Sequence, residues 1–183
     1  NWDLSRWVHK RKAKAWQQLI NSNNLTLIAP SNWIAECAKS SSLFKNSRVE
    51  VIPHGLNIQK YRPIKQKIAR EILNLPQDKK LILFGAIEAT SDKNKGFHLL
   101  QPALQKLSQS GCTKNIEVVI FGASQPENPP ELGFKTHYLG HLYDDTSLAT
   151  VYSAADVMLV PSLQESFGQT ASESLACGTP VVA

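Results

Sequence analysis

The sequence predicts an α/β fold built on a parallel sheet. Short apolar runs alternate with helix-like stretches through residues 77–183, and this alternation is typical of parallel strands joined by helices on both faces of the sheet. The runs are hydrophobic throughout rather than alternately polar, as expected for strands covered on both sides. With 42% hydrophobic residues and four tryptophans among 183 residues, the chain can bury a substantial core and is expected to be globular.

The predicted elements begin with an amphipathic helix. Its basic residues interleave with Leu4, Trp7, Trp16 and Leu19 at helical spacing. Pro102 predicts a kink or a late start in a later helix. The elements after the first are expected as strand 25–30, helix 32–41, strand 48–52, helix 65–73, strand 81–86, helix 96–110, strand 117–122, strand 136–139, helix 146–154, strand 155–160, helix 168–177 and a strand from 181.

The segment after the strand 155–160 carries the clearest chemistry. Glu165 lies in the loop that follows the strand, where open α/β sheets bind ligands, and Glu173 lies inside the next helix. Ser166 is expected to cap this helix at its N-terminus. Gly178 and Pro180 are expected to end it.

The start of that helix offers an anion site. Its unpaired backbone amides can receive phosphate oxygens and are expected to be those of Phe167, Gly168 and Gln169. Glu173 lies roughly 7 Å further along the axis at 1.5 Å per residue. Because carboxylates only accept hydrogen bonds, Glu165 and Glu173 suit a ligand with hydroxyls at both ends and a diphosphate between them. A nucleotide sugar is such a ligand, and two solvated surface glutamates are the alternative.

The segment PSLQESFGQTASESLACGTPVVA resembles the E-x7-E signature of retaining glycosyltransferase family 4, which has the GT-B fold. Three other segments resemble the family in the same order. They are VIPHGLN…YRP at 51–63, KGFHLL at 95–100 and LG…YSAAD at 139–156, so the four together span roughly residues 50–183.

The resemblance implies a GT-B-like protein of two Rossmann-type domains. Residues 1–52 would end the N-terminal acceptor domain, 53–76 would link the domains, and 77–183 would form an incomplete C-terminal nucleotide-sugar domain. Lys95 and Glu165 are the catalytic residues that it implies. The implied donor-binding residues are Lys93, Gly55, Gly85, Gly122, Leu142, Phe167, Gly168, Gln169, Thr170 and Glu173.

Lys95 precedes a helix start at the edge of the sheet, where an ammonium group can meet a diphosphate. The family usually adds an arginine, either after the strand's glycine or before the lysine. Ala86 and Asn94 occupy those positions here. Lys93 can compensate as a point charge without the bidentate geometry of arginine, and a solvated loop lysine is the equal alternative.

The net charge of +5 comes largely from the first helix. A charged face in water explains this pattern, and attraction to anionic lipid is the alternative if the acceptor is lipid-linked. No recognised module indicates nucleic-acid binding. The sequence also lacks the G-x-G-x-x-G, Walker A and G-x-S-x-G motifs, which argues against NAD binding, a P-loop NTPase and a serine hydrolase, and no metal site is expected.

The cysteines favour a reducing compartment. Cys37, Cys112 and Cys177 are odd in number and far apart, which favours free thiols in the cytoplasm over disulfides. No apolar run is long enough to span a membrane, and the first residues are too charged for a signal peptide. The sequence lacks an initiator methionine and stops in an expected strand, so we expect a fragment or the ordered part of a longer protein.

The resemblance implies a retaining enzyme that moves a hexose from a UDP or GDP sugar to a glycan or lipid-linked acceptor, without a cofactor or a required metal, in polysaccharide or glycoconjugate synthesis. Lys95 and the helix-start amides would stabilise the leaving diphosphate. Glu165 would hold sugar hydroxyls, and Glu173 the ribose diol. A non-catalytic sugar-nucleotide-binding module, favoured by the vacant arginine positions, is the alternative. A GT-B epimerase would need a catalytic apparatus that the sequence does not show.

Overall fold

The structure is a computed structural model that describes residues 3–22, 24–85 and 92–183. The chain divides into two compact units, residues 1–55 and 56–183. Residues 56–76, which the sequence assigns to a link, group with the second unit. The division of the chain at residues 52 and 76 into acceptor domain, link and donor domain stays a prediction.

The first unit contains two helices and two parallel strands. They are α1 (Leu4–Asn21), β1 (Thr26–Ala29), α2 (Asn32–Ser40) and β2 (Arg48–Val51), with Thr26 opposite Arg48. The Ser31 hydroxyl accepts a hydrogen bond from the Ile34 amide at 3.3 Å, so the predicted N-cap of α2 is confirmed.

The second unit is built on a five-stranded parallel sheet, as the alternation of strands and helices predicts. The strand order is β5-β4-β3-β6-β7. The elements are α3 (Gln66–Ile72), β3 (Lys80–Gly85), α4 (Phe97–Ser108), β4 (Ile116–Phe121), β5 (Thr136–Tyr138), α5 (Asp145–Ala154), β6 (Val157–Leu159), α6 (Gln169–Ala176) and β7 (Val181–Val182).

Both faces of this sheet are covered. Along β3, Leu81 and Leu83 point into a core cluster that includes Tyr152 and Met158. Ile82 and Phe84 point into a second cluster that contains Phe97, Leu100 and Leu104 of α4. Because successive strand residues face opposite sides, a strand buried on both faces is apolar at every position.

Helix α4 differs from the prediction at its start. It begins at Phe97, one residue after the predicted start, and continues through Pro102, so a late start is wrong, whereas the kink, which was the alternative, stays a prediction. Proline removes one backbone hydrogen bond. Phe97 precedes the proline and Leu104 follows it, and both are buried in one core cluster, so continuing the helix gains more apolar burial than the lost bond costs.

A buried arginine holds the amino-terminal edge of the sheet together. Arg70 of α3 is 3% exposed and donates to the carbonyls of Ala154 and Lys79, at 2.8 and 2.9 Å. It also donates to Asp156 Oδ2 at 2.7 Å, and that oxygen accepts from the Leu81 amide at 2.7 Å. The cluster joins the segments that lead into β3 and β6, at the edge opposite to the candidate site.

Candidate functional site

An ion pair joins two of the predicted site residues at the carboxyl-terminal edge of the sheet. Lys95 follows β3 and Glu165 follows β6, the neighbouring strand. The distance from Lys95 Nζ to Glu165 Oε1 is 2.8 Å, and the Ser162 hydroxyl donates to the same oxygen at 2.8 Å. The side chains of Lys95 and Glu165 are 25% and 28% exposed, so the pair is partly shielded but still accessible.

The backbone around this ion pair is tightly fitted. Gly96 has a φ of 73°, and a Cβ atom there would lie 1.9 Å from the carbonyl oxygen of Pro161. The Leu163 amide donates to the Asn94 carbonyl at 2.9 Å. The loop after β3 and the loop after β6 are therefore bonded to each other, and only glycine fits at their closest approach.

The two lysines near this contact differ in their surroundings. Lys95 is half-buried against Glu165, whereas Lys93 is exposed in the 3-10 turn Lys93–Lys95. The structure therefore brings Lys95, and not Lys93, into contact with Glu165. Asn94 occupies one of the two vacant arginine positions, and the other, Ala86, lies outside the described residues.

Helix α6 begins differently from the prediction. Gly168, and not Ser166, is the N-cap, with φ 80° and ψ 49°. The left-handed conformation at Gly168 turns the chain into the helix, and its carbonyl accepts from the Ser172 amide at 3.1 Å. Among the residues that the structure describes, no side chain caps the helix start. Since the first amides of a helix lack partners inside it, a ligand can use those at the start of α6.

The other end of α6 is as predicted in part. Gly178 has a φ of 85° and donates to the Leu175 carbonyl, so the glycine that ends the helix is confirmed. Leu175 near this end of the helix is 60% exposed despite its apolar side chain. Ser174 and Cys177 are buried in its place.

Glu173 is buried, which excludes the reading of two solvated glutamates. The residue is 5% exposed, and its Oε2 atom accepts a hydrogen bond of 2.7 Å from the Tyr152 hydroxyl. Burial raises the pKa of Glu173 above its usual range, although hydrogen bonds from Tyr152, Gln169 and Tyr61 oppose the rise. A buried carboxylate needs polar partners, so this site is built for hydroxyl or amide groups.

A cavity of about 330 Å³ opens beside Glu173. It brings together Gly122, Leu142, Gln169, Thr170 and Glu173, all of them predicted donor-binding residues. Apolar walls with a few convergent polar groups are typical of small-molecule sites. The remaining lining residues are Phe121, His141, Tyr143, Leu148 and Tyr152.

The predicted glycines have different roles in the structure. At Gly85 a Cβ atom would lie 2.3 Å from the Phe121 ring, so this glycine makes room for a cavity wall. Gly122 has a φ of 79° and donates to the Gly140 carbonyl at 2.8 Å. Gly55 is the last residue of the first unit. The donor-binding roles of these glycines and of all the other predicted site residues, Phe167 included, stay predictions.

Sequence reasoning missed three polar residues around the carboxylates. Ser162 contacts Glu165, Tyr152 contacts Glu173, and Tyr61 donates to Asp145 Oδ1 at 2.9 Å. Burial raises the pKa of the Tyr61 hydroxyl. Every residue from Ala149 to Ala154 in α5 is buried, so no amphipathic pattern marks one face of that helix. The only signal for Tyr152 in the sequence is a large side chain with a polar end among small residues of a predicted helix.

Neither a metal cluster nor a spanning helix occurs in the part of the chain that the structure describes. No three His, Cys, Asp or Glu side chains there are grouped to hold a metal ion. None of the helices in that part combines the length and hydropathy needed to cross a bilayer.

The fold is that of the GT-B glycosyltransferases, and its parallel sheet is consistent with their Rossmann-like C-terminal domain. Sucrose-phosphate synthase from Thermosynechococcus elongatus matches with 29% identity and a TM-score of 0.66, over 85% of this chain and 39% of that protein. HepE from Anabaena, solved with UDP and glucose, matches with 18% identity and a TM-score of 0.62, over 93% of this chain and 48% of its own.

The sequence comparisons place the chain in one family. The family described as "Glycosyl transferases group 1" matches residues 78–183, so the chain belongs to it. D-inositol 3-phosphate glycosyltransferase 2 from Catenulispora acidiphila is 34% identical over 149 residues, which cover 74% of this chain. The corresponding enzyme from Xylanimonas cellulosilytica is 35% identical over 153 residues. The chain spans 34% of the length of each of these two relatives.

Proposed function

We propose that this chain carries the donor site of an enzyme that transfers a hexose from a UDP or GDP sugar to a glycan or lipid-linked acceptor. The observation that carries the proposal is the placement of two carboxylates and one lysine. Glu165 and Lys95 contact each other at the sheet edge, and Glu173 lies buried beside the cavity one helix further on. The related fold of HepE in complex with UDP and glucose supports a nucleotide-sugar donor.

The cavity beside Glu173 suits the nucleoside end of the donor. A planar base fits between apolar walls, and a ribose diol can donate two hydrogen bonds to one carboxylate. The uncapped amides at Gly168 and Gln169 would receive the diphosphate, since a helix start favours anions. With the nucleoside at Glu173 and the diphosphate at the start of α6, the sugar would lie toward Glu165.

Lys95 and Glu165 would exchange partners when the donor binds. In the structure each neutralises the other across 2.8 Å. A diphosphate attracts the ammonium group, and sugar hydroxyls donate to the carboxylate, so the donor offers both groups new partners. As the bond to the sugar breaks, the leaving diphosphate gains negative charge, and Lys95 would stabilise it where it develops.

Retention of the anomeric configuration is proposed from the resemblance to the retaining family alone. Because a lysine and helix amides can carry the charge stabilisation, we expect transfer to continue in the presence of a metal chelator. Loss of transfer on chelation, restored by a divalent cation, would contradict this part of the proposal.

Non-catalytic binding of sugar nucleotides is the second candidate. The observation in its favour is that Asn94 stands at an arginine position beside Lys95, so no arginine at that position adds a bidentate contact to the diphosphate. Slow hydrolysis of the nucleotide sugar separates the two candidates, since a pure binding module releases no hexose.

The test of the donor site is thermal unfolding with a panel of nucleoside diphosphates and their hexose derivatives. A ligand that binds only the folded state raises the unfolding temperature. We expect stabilisation by one nucleotide series, greater for the sugar than for the bare diphosphate, and release of hexose in the same samples. No stabilisation by any UDP or GDP compound would refute the proposal.

We also propose peripheral contact with anionic lipid through α1, at the cytoplasmic face of a membrane. The helix has five lysines and arginines and no acidic residue, and Leu4, Trp7, Trp16 and Leu19 are exposed. Such residues bind anionic headgroups and the acyl boundary. Sedimentation with vesicles should show binding to phosphatidylglycerol but not to phosphatidylcholine. Equal binding to both, or none, would contradict the proposal.

A further inference from the structure

Tyr152 and Glu173 form a buried pair whose two side chains line the same cavity. The tyrosine hydroxyl lies 2.7 Å from Glu173 Oε2, and both residues border the cavity that the donor site uses. The two residues lie on different helices, Tyr152 on α5 and Glu173 on α6. The hydrogen bond therefore fixes a carboxylate on one helix from a neighbouring helix.

The tyrosine is held rigidly from several sides. Its ring packs edge-on against Phe121, with centroids 5.7 Å apart and planes at 88°. Its carbonyl accepts from the Thr179 hydroxyl at 2.6 Å, which ties α5 to the segment after α6. With the ring and the backbone both fixed, the hydroxyl has one position from which to donate. A buried aromatic ring of this kind loses little further entropy when a ligand binds.

We propose that Tyr152 is a positioning residue for nucleotide binding, whose hydroxyl occupies one oxygen of Glu173 and so turns the remaining acceptor sites of that carboxylate toward the cavity. The inference rests on the proposed function, because it takes the ligand to be a nucleoside diphosphate with its ribose diol at Glu173. A carboxylate has about four acceptor positions, so one bond to Tyr152 leaves enough for a diol.

The electrostatic surroundings of Glu173 make the role measurable. Burial and the charge of Asp145 raise the pKa of this carboxyl, whereas hydrogen bonds from Tyr152, Gln169 and Tyr61 lower it. The Cys177 thiol also faces it, and burial raises the pKa of that thiol to about 11, so it stays neutral. His141 lines the cavity as well. Loss of the Tyr152 bond therefore raises the pKa of Glu173 further.

The sign of the pH effect follows from this shift. A protonated Glu173 loses acceptor capacity, so binding weakens as the pH falls through the pKa of Glu173. In Tyr152→Phe that pKa is higher, so binding weakens at a higher pH than in the wild-type protein. A purely structural role of the tyrosine would lower stability without moving this midpoint.

The test is Tyr152→Phe compared with Tyr138→Phe in calorimetric titrations with UDP and GDP, from acidic to mildly alkaline pH. Phenylalanine keeps the ring against Phe121 and removes only the hydroxyl. Tyr138 is the matched control, because its buried hydroxyl has no hydrogen-bond partner among the residues that the structure describes. We expect Tyr152→Phe to bind the nucleotide about tenfold more weakly at neutral pH, and its acid midpoint to move up by about one pH unit. Tyr138→Phe should match the wild-type protein.

Titration of the Glu173 carboxyl by carbon NMR, without any nucleotide, separates this inference from the proposed function. An upward shift in Tyr152→Phe alone upholds the coupling of the two residues. An unshifted titration, or equal nucleotide affinity and an unmoved midpoint in Tyr152→Phe, overturns the positioning role. Failure of the wild-type protein to bind either nucleotide overturns the proposed function, and the carboxyl titration still decides the role of Tyr152.

Discussion

Replacing Lys95 with alanine is expected to slow sugar transfer strongly while leaving the protein folded. The removed ammonium group would otherwise face the leaving diphosphate, and loss of one donor of this kind raises the activation free energy by about 2–4 kcal/mol. That range corresponds to a decrease in kcat of roughly 30-fold to 1000-fold. The expected effect is large because the site offers no arginine beside Lys95, where Asn94 stands.

The stability of the same variant should change little. The pair of Lys95 and Glu165 is partly exposed on both sides, and pairs near the surface contribute about 0–1 kcal/mol to the free energy of unfolding. Glu165 also keeps the Ser162 hydroxyl as a partner at 2.8 Å. A large loss of turnover with an unchanged unfolding temperature would therefore show a role in catalysis rather than in folding.

The assay is transfer or hydrolysis of the nucleotide sugar that the thermal panel identifies. Lys106→Ala is the matched control, because Lys106 is an exposed lysine in the last turn of α4, away from the helix start that follows Lys95. We expect wild-type rates for that control and a smaller loss for Lys93→Ala than for Lys95→Ala. Unchanged kinetics in Lys95→Ala would remove this residue from the site and refute the reasoning.

Two further predictions concern the backbone and the buried arginine. Gly96→Ala should reduce nucleotide-sugar affinity measured by calorimetry, because a Cβ atom would collide with the Pro161 carbonyl; normal affinity would show that the loops can separate freely. Asp156→Asn should lower the free energy of unfolding by about 3 kcal/mol at neutral pH, since it leaves Arg70 without its charged partner. Burial alone would raise the pKa of Asp156, but hydrogen bonds from Leu81 and Lys80 and the charge of Arg70 lower it. The wild-type protein therefore loses the stability contributed by Asp156 as the pH falls from the usual pKa of an aspartate through its lower pKa in the folded protein. The free energy of unfolding of Asp156→Asn, measured with denaturant, should depend less steeply on acid pH.

The sheet and most of its helices could be predicted because their pattern is local. Strands covered on both faces are apolar at every position, as β3 is from Leu81 to Phe84, and caps such as Ser31 and Gly178 mark helix ends within a few residues. The N-cap of α6 is predicted at Ser166 but lies at Gly168. By sequence alone, a left-handed glycine and a serine two residues earlier are both acceptable helix starts. The packing of the loop against its neighbours decides between them.

The contacts of the site could be predicted only in part. The sequence places Lys95 and Glu165 at one edge of the sheet, since each follows a strand. Their bond to each other depends on β3 and β6 being neighbours and on the fit of Gly96 against Pro161, and the sequence order shows neither. Tyr152 lies in the second half of α5, where every residue from Ala149 to Ala154 is buried, so its partner can be identified only once α5 and α6 are packed.

The central claim is that Glu165 and Glu173 serve opposite ends of one ligand. Titration calorimetry of Glu165→Ala and Glu173→Ala, each with the bare nucleoside diphosphate and with the nucleotide sugar, tests it most directly. Glu173→Ala should weaken both ligands by one to two orders of magnitude, as expected for losing hydrogen bonds to a charged group of about 1.5–3 kcal/mol. Glu173→Gln, which keeps a partner for the Tyr152 hydroxyl, controls for the emptied space.

Glu165→Ala should weaken the nucleotide sugar alone. The bare diphosphate should bind at least as tightly as to the wild-type protein, because Lys95 no longer has to leave its partner at 2.8 Å. A loss of affinity for the bare diphosphate in Glu165→Ala as large as the loss for the nucleotide sugar would contradict the division of the site between the two carboxylates.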